Sequence, residues 1–311
     1  MRILVTGGLG FIGHNVVRLL EELGQEVILT DTLELYPPND LTEMNTLFKM
    51  RTARLKNPTI YNGSIKHCKS IFEIHKPEIV INLASPSRQQ IVNLNPALYS
   101  DTMMAGLLNL LEYSAQHNVQ KFVHISSSMV YGNFANGAIE SAACNPIGQY
   151  GIMKLAGEML VRDYSRRYGF PHTILRPSAV YGPYDVKNRV VAKFFYAALQ
   201  NGVLDVKGPD EMLDFTYIDE LATGIVAATR TPTTNNKTYN ISRGRNRSLN
   251  EAAKLVHSIV GKGSIVVSGK DKHFPSRGSL NIDAARKDFG FNPKIDIEEG
   301  FKKYHEWLVQ D

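Results

Sequence analysis

Through the first half of the chain, short apolar runs rich in β-branched residues alternate with longer segments whose apolar positions recur every three or four residues. The runs at Arg2–Thr6, Glu26–Asp31, Thr59–Asn62, Glu78–Leu83, Lys121–Ser126 and His172–Arg176 read as strands. Helical spacing lies between them, as in Gly13–Leu23, Ala97–His117 and Gly148–Tyr168. Strand, helix and strand repeated in this way predict a parallel sheet, because parallel neighbours need a crossover and right-handed crossovers lay helices on both faces. Both faces of each strand are then buried, so the runs need not alternate with polar residues. The expected class is α/β, a doubly wound parallel sheet.

Beyond Arg176 the pattern loosens into longer loops, with helices expected at Arg189–Asn201, Asp219–Thr229, Ser248–Val260 and Ile297–Trp307. This predicts a main domain over 1–175 and a smaller C-terminal α+β lobe over 176–311, some of whose strands return to the main sheet. Ser248 with Glu251 three residues on is a capping-box signature, and Gly300 falls in a late helix, where glycine costs stability. The segment Thr32–Pro58, with its Tyr36-Pro37-Pro38 turn and a helix at Leu41–Leu55, is taken as peripheral.

Composition narrows the function. With 43% hydrophobic and 21% charged residues over 311 positions, the chain can bury a core without staples. Its two cysteines, Cys68 and Cys144, form no CxxC and accompany no histidine pair, so neither a metal site nor a disulfide framework is expected, and the cytoplasm is the expected compartment. No apolar run approaches the roughly 18 residues that span a bilayer, and the N-terminus reads as a buried strand, so no membrane partner is expected. The net charge of +5 is dispersed rather than blocked, which argues against nucleic acid and suits an anionic small molecule.

Directly after the first strand stands Gly7-Gly8-Leu9-Gly10-Phe11-Ile12-Gly13, opening an amphipathic helix. Glycines at such a turn let the backbone approach a pyrophosphate, which the unpaired N–H groups and dipole of the helix N-terminus stabilise. Asp31 closes the next strand, where a carboxylate accepts from both ribose hydroxyls of an adenosine and repels a 2′-phosphate. The fold is therefore read as Rossmann-type and the cofactor as NAD rather than NADP.

Within the expected helix Gly148–Tyr168, four-residue spacing stacks Tyr150 and Lys154 on one face. An ammonium beside a phenol, joined by a cationic nicotinamide, favours the phenolate and brings Tyr150 toward proton exchange near neutrality. Ser126-Ser127-Ser128 ends the strand before it, at the carboxyl edge where doubly wound sheets bind ligands.

With these elements in this order, the chain resembles the extended short-chain dehydrogenase/reductase family over essentially its whole length, and within it the nucleotide-sugar epimerases and dehydratases. The residues that carry the likeness are the glycine loop with Asp31, Asn82-Leu83-Ala84-Ser85, Ser126–Gly132, the Tyr150/Lys154 pair, Leu175-Arg176-Pro177, Val180–Pro183, Asp214–Asp219 and Arg277. The resemblance implies that Tyr150 is the acid/base on a sugar hydroxyl, that Lys154 holds the nicotinamide ribose, and that Ser127 bonds the reacting oxygen. It implies cofactor contacts from Gly7, Gly10, Phe11, Ile12, Gly13, Asp31, Thr32, Ser64, Ile65, Leu83, Ala84, Ser85, Ser126, Tyr150, Lys154 and Pro177. Substrate contacts are implied for Ser85, Ser127, Ser128, Tyr150, Ala179, Arg189, Val190, Tyr217 and Arg277, with the two arginines on a nucleotide diphosphate. A homodimer through the helices Ala97–His117 and Gly148–Tyr168 is also implied.

Departures from the family pattern select among its reactions. Ser128 and Met129 stand where the 4,6-dehydratases carry an Asp-Glu pair, and neither side chain does carboxylate chemistry. Met129 also replaces the glutamate usual in UDP-glucuronate decarboxylases. The cysteine and histidine of the GDP-fucose synthase group are replaced by Met129 and Tyr184. What remains is a 4-epimerase, of the type of the UDP-glucose/UDP-galactose enzymes, oxidising carbon 4, turning the keto-sugar and returning hydride to the other face. Alternatives are a keto-sugar reductase or nucleotide-sugar dehydrogenase with net turnover, and a non-catalytic NAD sensor. Met103, Ala179 and Leu213 replace polar residues common in relatives, which points to a different sugar or pose.

Overall fold

The computed structural model describes residues 1–33, 40–86, 89–270 and 274–310; the expected Tyr36-Pro37-Pro38 turn lies outside them. The first half runs β1 (Arg2–Thr6), α1 (Gly13–Glu22), β2 (Glu26–Asp31), α2 (Leu41–Ala53), β3 (Thr59–Asn62), α3 (Lys69–His75), β4 (Ile79–Asn82), α4 (Gln89–Leu94), α5 (Pro96–Ser100), α6 (Leu107–Gln116), β5 (Lys121–Ile125), α7 (Gln149–Tyr168) and β6 (His172–Pro177). The second half adds β7 (Ala179–Tyr181), α8 (Val190–Leu199), β8 (Val203–Lys207), β9 (Met212–Tyr217), α9 (Ile218–Arg230), β10 (Lys237–Ile241), β11 (Asn246–Ser248), α10 (Leu249–Val260), β12 (Ser264–Ser268), α11 (Asp283–Phe289) and α12 (Ile297–Gln310).

The main sheet is parallel throughout, in the order β10-β6-β5-β4-β1-β2-β3. Side chains alternate across it. Ile3 and Val5 of β1 pack on one face with Val16 and Leu20 of α1 and Leu221 and Ile225 of α9, while Leu4 packs on the other with Phe72, Leu111 and Val161 of α3, α6 and α7. The late strand β10 joins this sheet beside β6. The remaining strands form a three-stranded sheet β11-β9-β7 and a pair β12-β8, wrapped around Phe195, Phe215, Phe301 and Tyr304.

The expected helix Ala97–His117 is broken into α5, a π-turn over Asp101–Gly106, and α6. Gly106 in that turn accepts the Ile65 side chain where a Cβ would meet it at 2.7 Å. The capping box forms as read: Ser248 Oγ accepts from Glu251 N and a Glu251 carboxylate oxygen accepts from Ser248 N. Gly300, read only as a cost to its helix, is required by packing, because a Cβ there would collide with Tyr181 Oη.

Candidate active site

The carboxyl ends of β1 to β6 open onto a cavity of about 770 Å³ that continues into the C-terminal lobe. At one end, α1 begins at Gly13 with no capping side chain; His14 N donates to Gly10 O at 3.2 Å, and Gly10, Phe11, Ile12 and Gly13 line the cavity. The glycine loop folds back tightly enough that a Cβ on Gly13 would strike Gly7 O. Asp31 accepts from Leu9 N and Leu33 N, both at 3.0 Å. Burial pushes its carboxyl up, against those bonds and the nearby charge of Arg51.

At the centre, Ser127 Oγ accepts from Met129 N at 3.2 Å and so fixes the turn that follows β5. Tyr150 opens α7, whose start is set by Asn93 of α4: its Oδ1 accepts from Tyr150 N at 3.1 Å. Gly151 lets this helix lie against Met129, since a Cβ would come within 2.7 Å of Met129 O. The Ser127 hydroxyl is a neighbour that favours the phenolate of Tyr150. Lys154 Nζ donates to Ile125 O at 2.9 Å and lies 5.8 Å from the Tyr150 ring centre.

The electrostatics of this pair are dominated by burial. Burial raises the Tyr150 phenol, with the Arg189 charge and the Ser127 bond opposing, and lowers Lys154 to about 8, with Glu158 opposing. Both shifts disfavour the charged forms. The charge that reaches Tyr150 is a cation, Arg189, rather than a carboxylate.

Toward the lobe, Arg277 is buried, its pKa lowered to about 10 by desolvation with Glu211 opposing, and its guanidinium donates to Met129 Sδ at 3.7 Å. No carboxylate lies within ion-pair distance of it among the described residues. Arg189 caps α8, with Nε 3.5 Å from Asp185 Oδ1.

Gly7, Gly10, Phe11, Ile12, Gly13, Asp31, Thr32, Ser64, Ile65, Leu83, Ala84, Ser85, Ser126, Ser127, Ser128, Tyr150, Lys154, Pro177, Ala179, Arg189, Val190 and Arg277 all line the cavity. Tyr217 does not, and that expectation is corrected. It shares a strand face with Leu213 and Phe215, which do line the cavity, but sits about 7 Å further along β9, where its ring packs on Tyr181 at 5.7 Å. The reading of Thr32–Pro58 as peripheral is also corrected. Met44, Phe48 and Arg51, on one face of α2 at i, i+4 and i+7, line the cavity, and Arg51 is 2% exposed. The spacing stands in the sequence, but nothing local shows what that face of the helix meets. The contributions of Ser178 and Asp185 to the lining were not legible, because loop residues show no period.

The model of the NAD dependent epimerase/dehydratase family matches residues 3–242. A putative UDP-glucose 4-epimerase of Methanocaldococcus jannaschii is 29% identical, over 98% of this chain and 98% of that protein. A UDP-glucuronate 4-epimerase of Thermodesulfobacterium geofontis is 28% identical, over 99% and 96%. The crystal structure of the Thermotoga maritima UDP-glucose 4-epimerase with UDP-glucose superimposes with a TM-score of 0.90 at 31% identity, covering 100% of this chain and 99% of that one.

Proposed function

The chain belongs to the NAD dependent epimerase/dehydratase family, and from that premise we propose that it is a UDP-sugar 4-epimerase of the extended short-chain dehydrogenase/reductase type. The observation that carries the reading is the Ser127–Tyr150–Lys154 group in one cavity, with Ser128 and Met129, rather than acids, beside it. Elimination of water needs a carboxylate at the sugar, and the charge near Tyr150 has the wrong sign for that role.

The residues fit NAD. The glycine loop and the N-terminus of α1 would hold the pyrophosphate, Asp31 the adenosine ribose, and Tyr150 with Lys154 the nicotinamide ribose. Bound there, NAD would supply a hydride acceptor and donor for carbon 4 of the sugar. Tyr150 removes the proton of the 4-hydroxyl, Ser127 donates to the same oxygen, and the Lys154 ammonium stabilises the phenolate between the two half-reactions. Arg277 and Arg189 bind the diphosphate, for which a planar guanidinium is suited. Ala179, Leu213, Met129 and Phe215 give the sugar side apolar walls, against which a keto-sugar turns without breaking polar anchors.

The α5–α7 surface supports a homodimer. Leu98 and Met159 are 65% and 63% exposed, and Leu108 and Ile152 add to the exposed apolar set on these helices. Among the described residues no helix is long and apolar enough to cross a membrane.

The test is a panel of UDP-, GDP- and dTDP-sugars incubated with the protein without added cofactor and followed by NMR. Interconversion of a 4-epimer pair supports the reading. Product formed only with stoichiometric NAD or NADH replaces it with a dehydrogenase or reductase, and a 4-keto-6-deoxy product replaces it with a dehydratase.

A further inference from the structure

The geometry points to Arg51 as a positioning residue that couples the adenosine end of the cavity to the loop presenting Arg189, so that cofactor and sugar nucleotide strengthen each other's binding. This rests on the functional reading above for the identity of the two ligands. Arg51 lies in the last turn of α2 and is almost fully buried. Its Nη1 donates to Leu9 O at 3.0 Å, while Nη2 and Nε donate to Tyr184 O at 2.7 and 3.3 Å. One planar group therefore grips two carbonyls that are 175 positions apart in sequence, each beside cavity-lining residues, Gly10 next to Leu9 and Asp185 next to Tyr184.

Each carbonyl belongs to a segment that lines the cavity. Leu9 is in the glycine loop, and its N–H donates to Asp31 Oδ2, so the same residue is held by Asp31 on one side and Arg51 on the other. Tyr184 has a left-handed backbone, φ 68°, which a bulky residue adopts only when its surroundings impose it. The next residue, Asp185, approaches Arg189, whose charge reaches Tyr150. The route from the adenosine ribose to the reacting phenol is thus Asp31, Leu9, Arg51, Tyr184, Asp185 and Arg189.

The packing around α2 supports the same reading independently. Met44 and Leu47 form a small core with Val186, Glu43 accepts from Lys187 N at 2.6 Å, and the Arg54 guanidinium lies 4.5 Å from the centre of the Tyr184 ring. Helix α2 therefore clasps the loop at its backbone, its aromatic ring and its apolar side chain. Desolvation lowers Arg51 to about 10, and Asp185 and Asp31 oppose it, so the guanidinium carries its charge between the carboxylates of both sites. Lysine cannot replace it, since one ammonium lacks the forked geometry that reaches both carbonyls.

The experiment follows the loss of bound NAD from the full-length holoenzyme on dilution, with and without saturating UDP, in the wild type, Arg51→Lys and Arg51→Met. The wild type should release NAD about 10-fold more slowly when UDP is bound, a coupling of ordinary size. In both variants that ratio should fall below about 2-fold while each ligand still binds, and the KM for the sugar nucleotide should rise more than kcat falls. Should Arg51→Met fail to fold, Arg51→Lys keeps the buried charge, and Glu43→Ala, which frees Lys187 at the exposed rim, should weaken the ratio by itself. Variants that keep the wild-type ratio overturn the proposal, as does a wild type that binds both ligands without mutual effect. A wild type that binds no NAD overturns the functional reading itself and, with it, this one.

Discussion

Glu158 grips Arg176 with both carboxylate oxygens, Nε to Oε1 at 2.8 Å and Nη2 to Oε2 at 2.7 Å, in a pair 0% and 3% exposed. Glu158 stands one turn beyond Lys154 on α7, and its Oε1 also accepts from Ser126 Oγ at 2.6 Å. The pair thus joins the helix of Tyr150 and Lys154 to the end of β5 and to β6. Glu158→Gln leaves Arg176 buried without its counter-charge and should cost about 3–5 kcal/mol in urea denaturation at pH 7.

The same variant carries a pH signature. Burial pushes the Glu158 carboxyl up, but the Arg176 bonds and charge outweigh it and hold the group below the ordinary carboxylate range. A depressed folded-state pKa gives stability that is complete above the unfolded value and is lost as pH falls through the folded one. The stability gap between wild type and Glu158→Gln should therefore narrow as pH is lowered below about 4, the unfolded range. A gap that stays constant to pH 3 contradicts this account.

At the reacting centre, Tyr150→Phe should lower kcat by about 10³-fold or more, and Ser127→Ala by about 10²-fold, within the range for a positioned acid/base and its hydrogen-bonding partner. NAD should remain bound in both, because the glycine loop and Asp31 are untouched. Ser127→Ala should also lose about 1 kcal/mol of stability, since Ser127 Oγ caps the turn at Met129. Steady-state kinetics with NAD content measured on the denatured protein separate these effects.

Gly300→Ala should destabilise the protein, although helix propensity alone favours alanine by about 1 kcal/mol. The new methyl would collide with Tyr181 Oη, and Tyr181 is locked among Phe215, Tyr217 and Phe301. A loss above about 1 kcal/mol in the denaturation midpoint analysis is expected. A gain in Tm would mean that this packing yields easily.

For assembly, Leu98→Glu combined with Met159→Glu places two charges on the exposed apolar surface of α5 and α7. Light scattering should find the wild type at twice the 34.7 kDa chain mass and the double variant at the chain mass itself. A monomeric wild type contradicts the proposed dimer.

The sheet was legible because buried parallel strands leave continuous apolar runs: all six expected strands in the first half lie within one residue of their observed ends. The break at Asp101–Gly106 was not, since a π-turn keeps the local apolar spacing and is decided by what packs against it. The centre of the site was legible because Tyr150, Lys154 and the glycine loop sit at fixed offsets within single elements. Arg51 and Asn93 were missed for the opposite reason. Their partners, Tyr184 and Tyr150, lie 133 and 57 residues away, and no local pattern encodes such contacts. Tyr217 failed through position along the strand, which side-chain alternation does not register.

The central claim, that one protein-held cofactor removes and returns the same hydrogen at carbon 4, is tested most directly by running the reaction in D₂O with no added NAD. The epimer pair that the sugar panel identifies is followed by ¹H NMR alongside absorbance for reduced cofactor. The account predicts interconversion with protium retained at carbon 4, no deuterium at any other carbon and no net change in reduced cofactor. Deuterium entering the sugar ring, or conversion that stops after one turnover per bound cofactor, would contradict it.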